Sequence, residues 1–289
     1  MSFRSVERRG IFMVKKVSGV CKLCGKYKKL TFEHVPPQKA FNSFPVKVFS
    51  PAESLKIMSG QGDRKPWETD GLQGRIQQGG SGGFYLCEDC NNKSGAWYAR
   101  EYVDFTKKVH SCISACNRNR MIDCGSFTLV LKDIYPLRIL KAIMVMFCDI
   151  YEGCFGDEKL RTFLLNKRAK GFDMEKYSLF LYLTGGPRLR KLPLQYRFMP
   201  GYGLLQVLEI SQYPLGLLLF INKPETFQPP GIDISNFARF DYDAHCNYRL
   251  FKIPVLKVNT PFVLDYRSKE EVIVDEKGFV VFPPQTIGN

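Results

Sequence analysis

Runs of apolar and aromatic residues, separated by Gly and Pro, dominate the second half of the chain and are typical of short strands. The runs are YSLFLYL from Tyr177, GLLQVLEI from Gly203, GLLLFI from Gly216, YRLFKIPVL from Tyr248, and FVLDY, EVIVD and FVVF near the end. Helical patterns precede them. Pro136 suits the first turn of a helix with apolar positions on one face, and Asp157 is placed to cap a second helix that ends at Gly171. Residues 111–289 are therefore predicted to form an α+β domain of mixed helices and a largely antiparallel sheet.

The first third of the chain carries a shorter strand and helix pattern. LTFEH, from Leu30, and GFYLC, from Gly83, each predict a short strand, and a helix is expected from about Asp89. An aromatic and apolar stripe then recurs at helical spacing, formed by Tyr98, Tyr102, Phe105 and Val109. Such a stripe is more typical of a core face than of a platform for stacking bases.

A long insertion separates these two predicted strands. Residues 35–82 include SGQGDRKPWETDGLQGRIQQGGSGG, a stretch rich in Gly and polar residues. Such a segment is expected to be mobile, or ordered only against a partner. It carries Arg64, Lys65 and Arg75, which are candidates for contacts with a phosphate backbone, and an idle insertion is an equally open interpretation.

The charge of the chain is strongly positive and uneven. The formal net charge is +14, with a sequence pI near 9.3. Residues 1–110 contain 19 Lys and Arg against 10 Asp and Glu, whereas the rest contain 23 against 18. A basic chain is attracted to polyanions such as nucleic acid or an anionic membrane surface. With 45% hydrophobic residues, the chain can bury a core and is not of the disordered class.

The ten cysteines could form disulfides in an oxidising compartment or bind metal in a reducing one. The charged start, MSFRSVERRGIFMVKK, contains no long apolar run of the kind found in a secretory signal, and no run further on is long enough to span a bilayer. We therefore expect a cytoplasmic protein without a membrane segment, whose cysteines bind metal or remain free. A second metal site at His110, Cys112, Cys116 and Cys124 is an open alternative, but their spacing matches no strong template, so buried or idle thiols are favoured there.

Two Cys-x-x-Cys pairs are the strongest motif in the chain. They are Cys21 with Cys24, in VCKLCG, and Cys87 with Cys90, in LCEDCNNKSG. Four thiolates in two such pairs are the ligand set of a closed, structural zinc site.

A carboxylate, an imidazole and an amide accompany the cysteines. Glu33 and His34 lie between the two pairs, and Asn91 follows the last cysteine. A carboxylate and an amide oxygen can hold a hard divalent cation, and an imidazole can accept a proton from water. Neighbouring residues of a straight strand face opposite sides, so a shared site requires the strand to bend or end here, and Pro36 and Pro37 follow at once.

This arrangement resembles the HNH (ββα-metal, His-Me finger) endonuclease family, in particular the zinc-bearing branch that includes phage recombination endonuclease VII. The resemblance covers about residues 19–105. It implies that the four cysteines bind zinc, that Glu33 and Asn91 hold a catalytic Mg²⁺ or Mn²⁺, and that His34 is the general base. Asn92 is the alternative to Asn91. Glu33 stands where the family more often has Asp.

The family's middle Asn would fall on Gly82 of this sequence. Asn42 is a candidate for a similar loop-fixing role, although its spacing does not demand it. Lys93, near the start of the predicted helix, is a candidate for a phosphate contact, with a solvated lysine as the alternative.

The resemblance implies a metal-dependent endonuclease that hydrolyses DNA, most often double-stranded. In the implied mechanism His34 deprotonates the attacking water, the divalent ion stabilises the departing 3′ oxygen, and the products carry 5′ phosphate and 3′ hydroxyl groups. By analogy with fused modules of this kind, the protein is an effector of phage defence or of a mobile element.

The predicted domain organisation is a basic lead-in over residues 1–18, the nuclease module over residues 19–110 and the α+β domain over residues 111–289. The last is expected to regulate the module, recognise the target, or bind a second copy or a partner subunit. Two other functions stay open: a non-catalytic, zinc-dependent nucleic-acid-binding module, and a nuclease subunit that is silent until a partner activates it.

Overall fold

A computed structural model of the 289-residue chain describes residues 17–49, 53, 71–117, 126–151, 156–184, 189–247 and 249–254. Some sequence predictions concern residues outside these ranges, namely the lead-in before residue 17, Arg64, Lys65, Cys124, and the apolar runs after residue 254.

The first part of the fold is a three-stranded antiparallel sheet in the order β1–β2–β5. Its strands are β1 (Val17–Val20), β2 (Tyr27–His34) and β5 (Gly82–Cys87). Leu30 lies opposite Cys87 and His34 opposite Gly82, so the two predicted strands are confirmed and pair along their length. Tyr85 is an extra residue of β5 at a bulge, which increases the local twist.

Helical structure follows β5 directly, as predicted. The elements are α1 (Glu88–Ser94), a π-helical segment (Gly95–Ala99) and α2 (Arg100–Asn117). Glu88 and Asp89 lie in the first turn, where unpaired N–H groups favour negative charge. Lys28 of β2 forms an ion pair of 2.7 Å with Asp89, which links the strand to the helix. The predicted domain boundary at residue 110 falls inside α2.

The insertion contains a short ladder that the sequence did not predict. β3 (Val46–Phe49) pairs with β4 (Gly74–Gln77) in antiparallel register. The expectation of a mobile segment, or of one that orders only against a partner, therefore does not hold for residues 74–77. These residues, GRIQ, pair within the chain with VKVF.

The second part is built on a five-stranded antiparallel sheet in the order β11–β7–β10–β9–β8. The strands are β7 (Tyr177–Leu183), β8 (Arg190–Met199), β9 (Gly203–Gln212), β10 (Leu215–Ile221) and β11 (Ile232–Asp233). A separate pair joins β6 (Ser126–Leu131) to β12 (Arg249–Pro254). The helices are α3 (Pro136–Ile150), α4 (Glu158–Leu165) and a 3₁₀ turn (Ser235–Arg239). The mixed α+β class with antiparallel sheets is confirmed.

Two details of the sequence prediction are wrong. The helix that Asp157 caps, through a hydrogen bond from the Leu160 amide, ends at Leu165 and not at Gly171. Strand β8 was not predicted, because RKLPLQYRFM mixes charged and apolar residues and contains Pro193. Pro is tolerated here because β8 is an edge strand with a register shift between Leu192 and Gln195.

One continuous cluster of buried side chains joins the two parts of the fold, from Cys21 to Ile253. The predicted stripe on α2 belongs to it: Tyr98, Tyr102, Phe105 and Val109 are each at most 2% exposed, which confirms the core interpretation. Helix α3 is buried on nearly every side and so lies at the centre of the cluster. No helix in the described part of the chain is long and apolar enough to cross a membrane.

The loop after β2 packs against the second part of the fold. The ring centroid of Phe41 lies 4.7 Å from that of His110 in α2. It lies 6.0 Å from the ring centroid of Tyr213, a residue of the turn between β9 and β10. His110 Nδ1 is 3.1 Å from the Tyr213 hydroxyl, and Gln212 Nε2 donates to the Phe41 carbonyl oxygen at 2.8 Å. These contacts place the five-stranded sheet beside the end of β2.

A buried lysine ties α3 to the end of α4. Lys141 is 0% exposed, and its Nζ donates to the carbonyl oxygens of Asn166 at 2.8 Å and Lys167 at 3.2 Å. The ring centroid of Phe163 lies 4.2 Å from Nζ. Burial lowers the pKa of Lys141 to about 7.

We expect Lys141 to make stability dependent on pH. Between pH 7 and 10 the unfolded chain binds a proton at Lys141 that the folded chain does not, so the free energy of unfolding rises with pH, by up to about 1.4 kcal/mol per unit. In urea denaturation, the free energy of unfolding of the wild type should therefore rise relative to that of Lys141→Met between pH 7 and 9.5. Lys159→Met, on the exposed side of α4, is the control and should follow the wild type. If the free energy of unfolding changes equally with pH in all three proteins, the expectation is contradicted.

Candidate metal centre and adjoining polar site

The four cysteines of the two Cys-x-x-Cys pairs converge on one point. Cys21 and Cys24 lie in the turn between β1 and β2, while Cys87 ends β5 and Cys90 lies in α1. Their sulfur atoms all lie within 4.8 Å of one another, and the sulfur atoms of Cys24 and Cys87 are 3.9 Å apart. In the described part of the chain this is the one group of three or more His, Cys, Asp and Glu residues that can hold a metal ion.

Backbone hydrogen bonds preform the turn that presents the first pair. The amide of Cys21 donates to the Lys26 carbonyl, and the amide of Gly25 donates to the Cys21 carbonyl, both at 2.9 Å. Gly25 has φ +71°, a conformation that glycine adopts without strain. The amide of Cys87 points at the sulfur of Cys21 at 3.3 Å, so the two halves of the cluster also interact directly.

The cluster fits a structural metal ion such as zinc. Tetrahedral zinc with bonds of about 2.3 Å separates its sulfur ligands by about 3.8 Å, close to the distance between Cys24 and Cys87. Hydrogen bonds from the Cys90 thiol and from backbone N–H groups lower the pKa of Cys21 to about 4, against the opposing effect of burial. The thiolate, which is the ligand form, is therefore favoured at this position.

Glu33 presents a buried oxygen atom with no donor. It lies one residue before the end of β2, on the side that carries Thr31, because residues two apart share a face. Its Oε2 is buried and has no hydrogen-bond partner among the described residues. Burial first, and the charge of Cys21 second, raise the pKa of Glu33 to about 7. Such an oxygen is costly unless a donor or a cation satisfies it.

Asn91 approaches the same side of β2 from α1. Its Nδ2 donates to Thr31 Oγ1 at 3.0 Å, and that hydroxyl donates to the Leu86 carbonyl oxygen at 3.1 Å. Since Thr31 and Glu33 share a face, the amide of Asn91 and the carboxylate of Glu33 lie on one side of the strand. Asn92 is exposed and makes no such contact with β2 among the described residues, which favours Asn91 of the two candidates.

His34 is the last residue of β2, and the alternation of the strand places it on the side opposite Glu33. Its ring makes an edge contact with Phe32, with centroids 5.1 Å apart. Burial lowers the pKa of His34, the charge of Lys191 lowers it further, and a hydrogen bond with the Gly79 backbone opposes both. The neutral imidazole is therefore the favoured form at neutral pH.

A buried asparagine fixes the loop after His34. Asn42 is 2% exposed, and its Nδ2 donates to the carbonyl oxygens of Pro36 at 2.6 Å and Ser81 at 2.8 Å. The Ser81 amide donates to Asn42 Oδ1 at 2.8 Å. Gly80, with φ +106°, lies so close that an added Cβ would be 1.8 Å from the Asn42 carbonyl oxygen. The loop-fixing role considered for Asn42 is confirmed.

Charge effects connect Glu33 and His34 to residues that the sequence did not single out, namely Tyr85, Asp149 and Lys191. Burial, and then the charges of Asp149 and Glu33, raise the pKa of Tyr85. Burial lowers the pKa of Lys191 to about 8, while the charge of Asp149 opposes the shift. Asp149 ends the buried part of α3 and Lys191 lies in β8, more than a hundred residues from Glu33. No local motif connects residues so distant, so only the fold reveals them.

Two of the four candidate nucleic-acid contacts lie among the described residues. Lys93 of α1 and Arg75 of β4 are exposed. Arg64 and Lys65 lie outside the described residues.

Comparison of the chain with protein-family models, with curated proteins and with solved structures found no match.

The metal assignment predicts a specific loss of bound metal. Cys90→Ser removes one of four ligands, so bound zinc should fall from about one ion per chain to near zero, with a lower melting temperature. Elemental analysis of the purified protein measures this directly. Cys246→Ser changes a half-buried cysteine outside the cluster and should retain the metal. A wild-type protein purified without any transition metal would contradict the assignment.

The contacts of Asn42 predict a large effect on stability. Asn42→Ala leaves the Pro36 carbonyl and the Ser81 amide without a partner, while the Ser81 carbonyl keeps its bond from the Val35 amide. We expect it to lower the free energy of unfolding by about 2–4 kcal/mol. Gln38 is the matched control, because its amide donates to the Gly79 carbonyl at 3.0 Å from an exposed position. Gln38→Ala should change the free energy of unfolding by less than about 0.5 kcal/mol. Equal effects in chemical denaturation would show that the burial of Asn42 is not decisive.

Proposed function

We propose that the protein is a metal-dependent endonuclease of the HNH type that hydrolyses phosphodiester bonds in DNA. The observation that carries this proposal is the buried Oε2 atom of Glu33, which has no donor among the described residues and lies on the side of β2 where Asn91 bonds to Thr31. His34 ends the same strand, on its other side. A buried carboxylate oxygen without a donor is satisfied when a cation binds it.

The order of elements around these residues also supports the proposal. Two antiparallel strands, β2 and β5, are followed by α1, and the cysteine cluster joins the turn before β2 to the junction of β5 with α1. The family that the sequence resembles has this order of strands and helix. Asn42, which closes the loop after His34, adds the loop-fixing amide that Gly82 lacks.

The residues of this chain divide the chemistry between them. His34, neutral at pH 7, would accept a proton from the water that attacks the phosphorus atom. As the new P–O bond forms, the bond from phosphorus to the 3′ oxygen breaks, and that oxygen takes a proton from solvent. The products would be a 5′ phosphate and a 3′ hydroxyl.

Glu33 and Asn91 would hold the catalytic divalent ion, Mg²⁺ or Mn²⁺, through oxygen atoms that suit a hard cation. When bound, the ion neutralises negative charge on the phosphate and on the leaving oxygen. The raised pKa of Glu33, about 7, describes the site before any cation binds.

The charge distribution favours nucleic acid as the substrate. Residues 1–110 carry an excess of nine positive charges, on the same part of the chain as the proposed site. Exposed Lys93 lies in the last turn of α1 and not near its start as predicted, but it is two residues from Asn91 and would contact a phosphate near the cleaved bond. Double-stranded DNA, nicked by one copy or cut by two, is the substrate that we propose.

We expect Mg²⁺-dependent cleavage of supercoiled plasmid by the purified protein, and a loss of about 10²–10⁴-fold in rate on His34→Ala, because a general base contributes that much. Glu33→Gln and Asn91→Ala should each lower the rate and raise the Mg²⁺ concentration needed for half-maximal cleavage. His245→Ala changes an exposed histidine outside the site and is the matched control.

Three other outcomes have distinct meanings. Cleavage unchanged in His34→Ala would remove the assignment of the base. DNA binding without cleavage in any variant would favour a non-catalytic, zinc-dependent binding module. Cleavage that begins only after addition of cell lysate or nucleotides would indicate a subunit that a partner activates.

A further inference from the structure

One face of the five-stranded sheet lies beside the end of β2. In the register of β8 with β9, Lys191 is opposite Ile210, and paired residues of an antiparallel ladder project to the same side. Ile210 is 1% exposed and belongs to the main core, so this is the inner side of the sheet. Gln212, two residues further along β9, shares that side and donates to the Phe41 carbonyl oxygen at 2.8 Å. Phe41 lies in the loop that follows His34.

Lys191 therefore projects from the inner side of the sheet toward the residues around His34. Two electrostatic effects agree with this placement, because its charge lowers the pKa of His34 and the charge of Asp149 acts on Lys191. Asp149 is 3% exposed and lies near the end of α3, which packs against β8. The buried carboxylate of Asp149 and the imidazole of His34 are therefore both within electrostatic range of Lys191.

Comparison with Lys141 shows what is unusual about Lys191. Lys141 is also removed from solvent, and its ammonium is satisfied by two carbonyl oxygens. Lys191 is half-buried, and none of the residues that the structure describes accepts a hydrogen bond from its Nζ or pairs with it within 4.0 Å. A lysine that only fills space would bury its stem and extend its ammonium to water. An ammonium held near a candidate reaction centre, without a partner of its own, is instead placed to bind an anion.

We propose that Lys191 binds a phosphate group of the nucleic acid at the nuclease site, with the buried carboxylate of Asp149 as a nearby countercharge. This inference rests on the proposed function. Lysine binds phosphate as a compact point charge, which tolerates a small opening better than the planar guanidinium of arginine. The site would then be composite, with the base and the ion ligands from the first part of the fold and a phosphate contact from the five-stranded sheet.

The test compares Lys191→Met with Lys191→Arg and with Lys252→Met in the full-length protein. Lys252 is an exposed lysine of β12, so its replacement removes the same charge away from the site. Binding of a short duplex is measured in the His34→Ala background, where the duplex stays intact, over a series of salt concentrations. Cleavage is measured in the wild-type background as kcat and KM. Melting temperature and zinc content confirm that each variant is folded.

We expect Lys191→Met to lower kcat/KM by about 10–100-fold and to reduce the slope of log affinity against log salt by about 1, the change expected for one lost phosphate contact. Lys191→Arg should restore the slope and part of the rate. Lys252→Met should match the wild type in cleavage. Asp149→Asn should lower kcat/KM less than Lys191→Met and leave the salt slope unchanged, because the ammonium stays while a nearby negative charge is removed.

The results separate this inference from the proposed function. If the wild type binds the duplex but never cleaves it, the nuclease assignment fails, while a reduced salt slope in Lys191→Met still supports the phosphate contact. If the wild type cleaves and Lys191→Met matches it in rate and salt slope, the inference about Lys191 is overturned and the nuclease assignment stands. A wild type that binds no duplex at all overturns both.

Discussion

The convergence of four thiols is the constraint on which the proposed site depends. Cys21 and Cys24 belong to the turn that leads into β2, whereas Cys87 and Cys90 lie where β5 passes into α1. A metal ion shared by these residues fixes the strand that carries Glu33 relative to the helix that carries Asn91. Structural zinc supplies about 10–16 kcal/mol of apparent binding free energy in small zinc modules, which exceeds the net stability of many domains. The pairing of β2 with β5, the Thr31–Asn91 bond and the Lys28–Asp89 ion pair also link the strand to the helix.

Apolar packing then adds the second part of the fold to this frame. The aromatic stripe of α2 lies in the same core as α3, and Tyr98 donates from its hydroxyl to the Leu164 carbonyl oxygen at 2.9 Å. Near the site the junction becomes more polar: Gln212 bonds to Phe41, and Lys191 is within electrostatic range of both His34 and Asp149. The two parts therefore share a core at one place and polar groups at another. In this arrangement a change in the sheet reaches the proposed site through few intervening residues.

The sequence predicted the features that are encoded locally. Cys-x-x-Cys spacing indicated the metal cluster, and the i, i+4, i+7, i+11 stripe indicated the buried face of α2, because both depend on residues close together in the chain. Pro136 and Asp157 marked helix starts through their own backbone and capping chemistry. The ladder of β3 with β4 and the edge strand β8 escaped prediction because their stability comes from pairing partners. The positions of Tyr85, Asp149 and Lys191 depend on tertiary packing and have no local signal.

Asn42 has a consequence for how the chain tolerates change. Its side chain joins the point where the backbone leaves the β2 loop to the point where it returns at Ser81, so the 38 residues between them begin and end at one place. Enlarging such an excursion costs only a slowly growing closure entropy, about 0.6 kcal/mol for each doubling of length. Gly79, near the end of the excursion, still bonds to His34, so that part of the excursion stays in contact with the proposed site. Insertions into the excursion before it would therefore cost little closure entropy, while Asn42 keeps its two ends together.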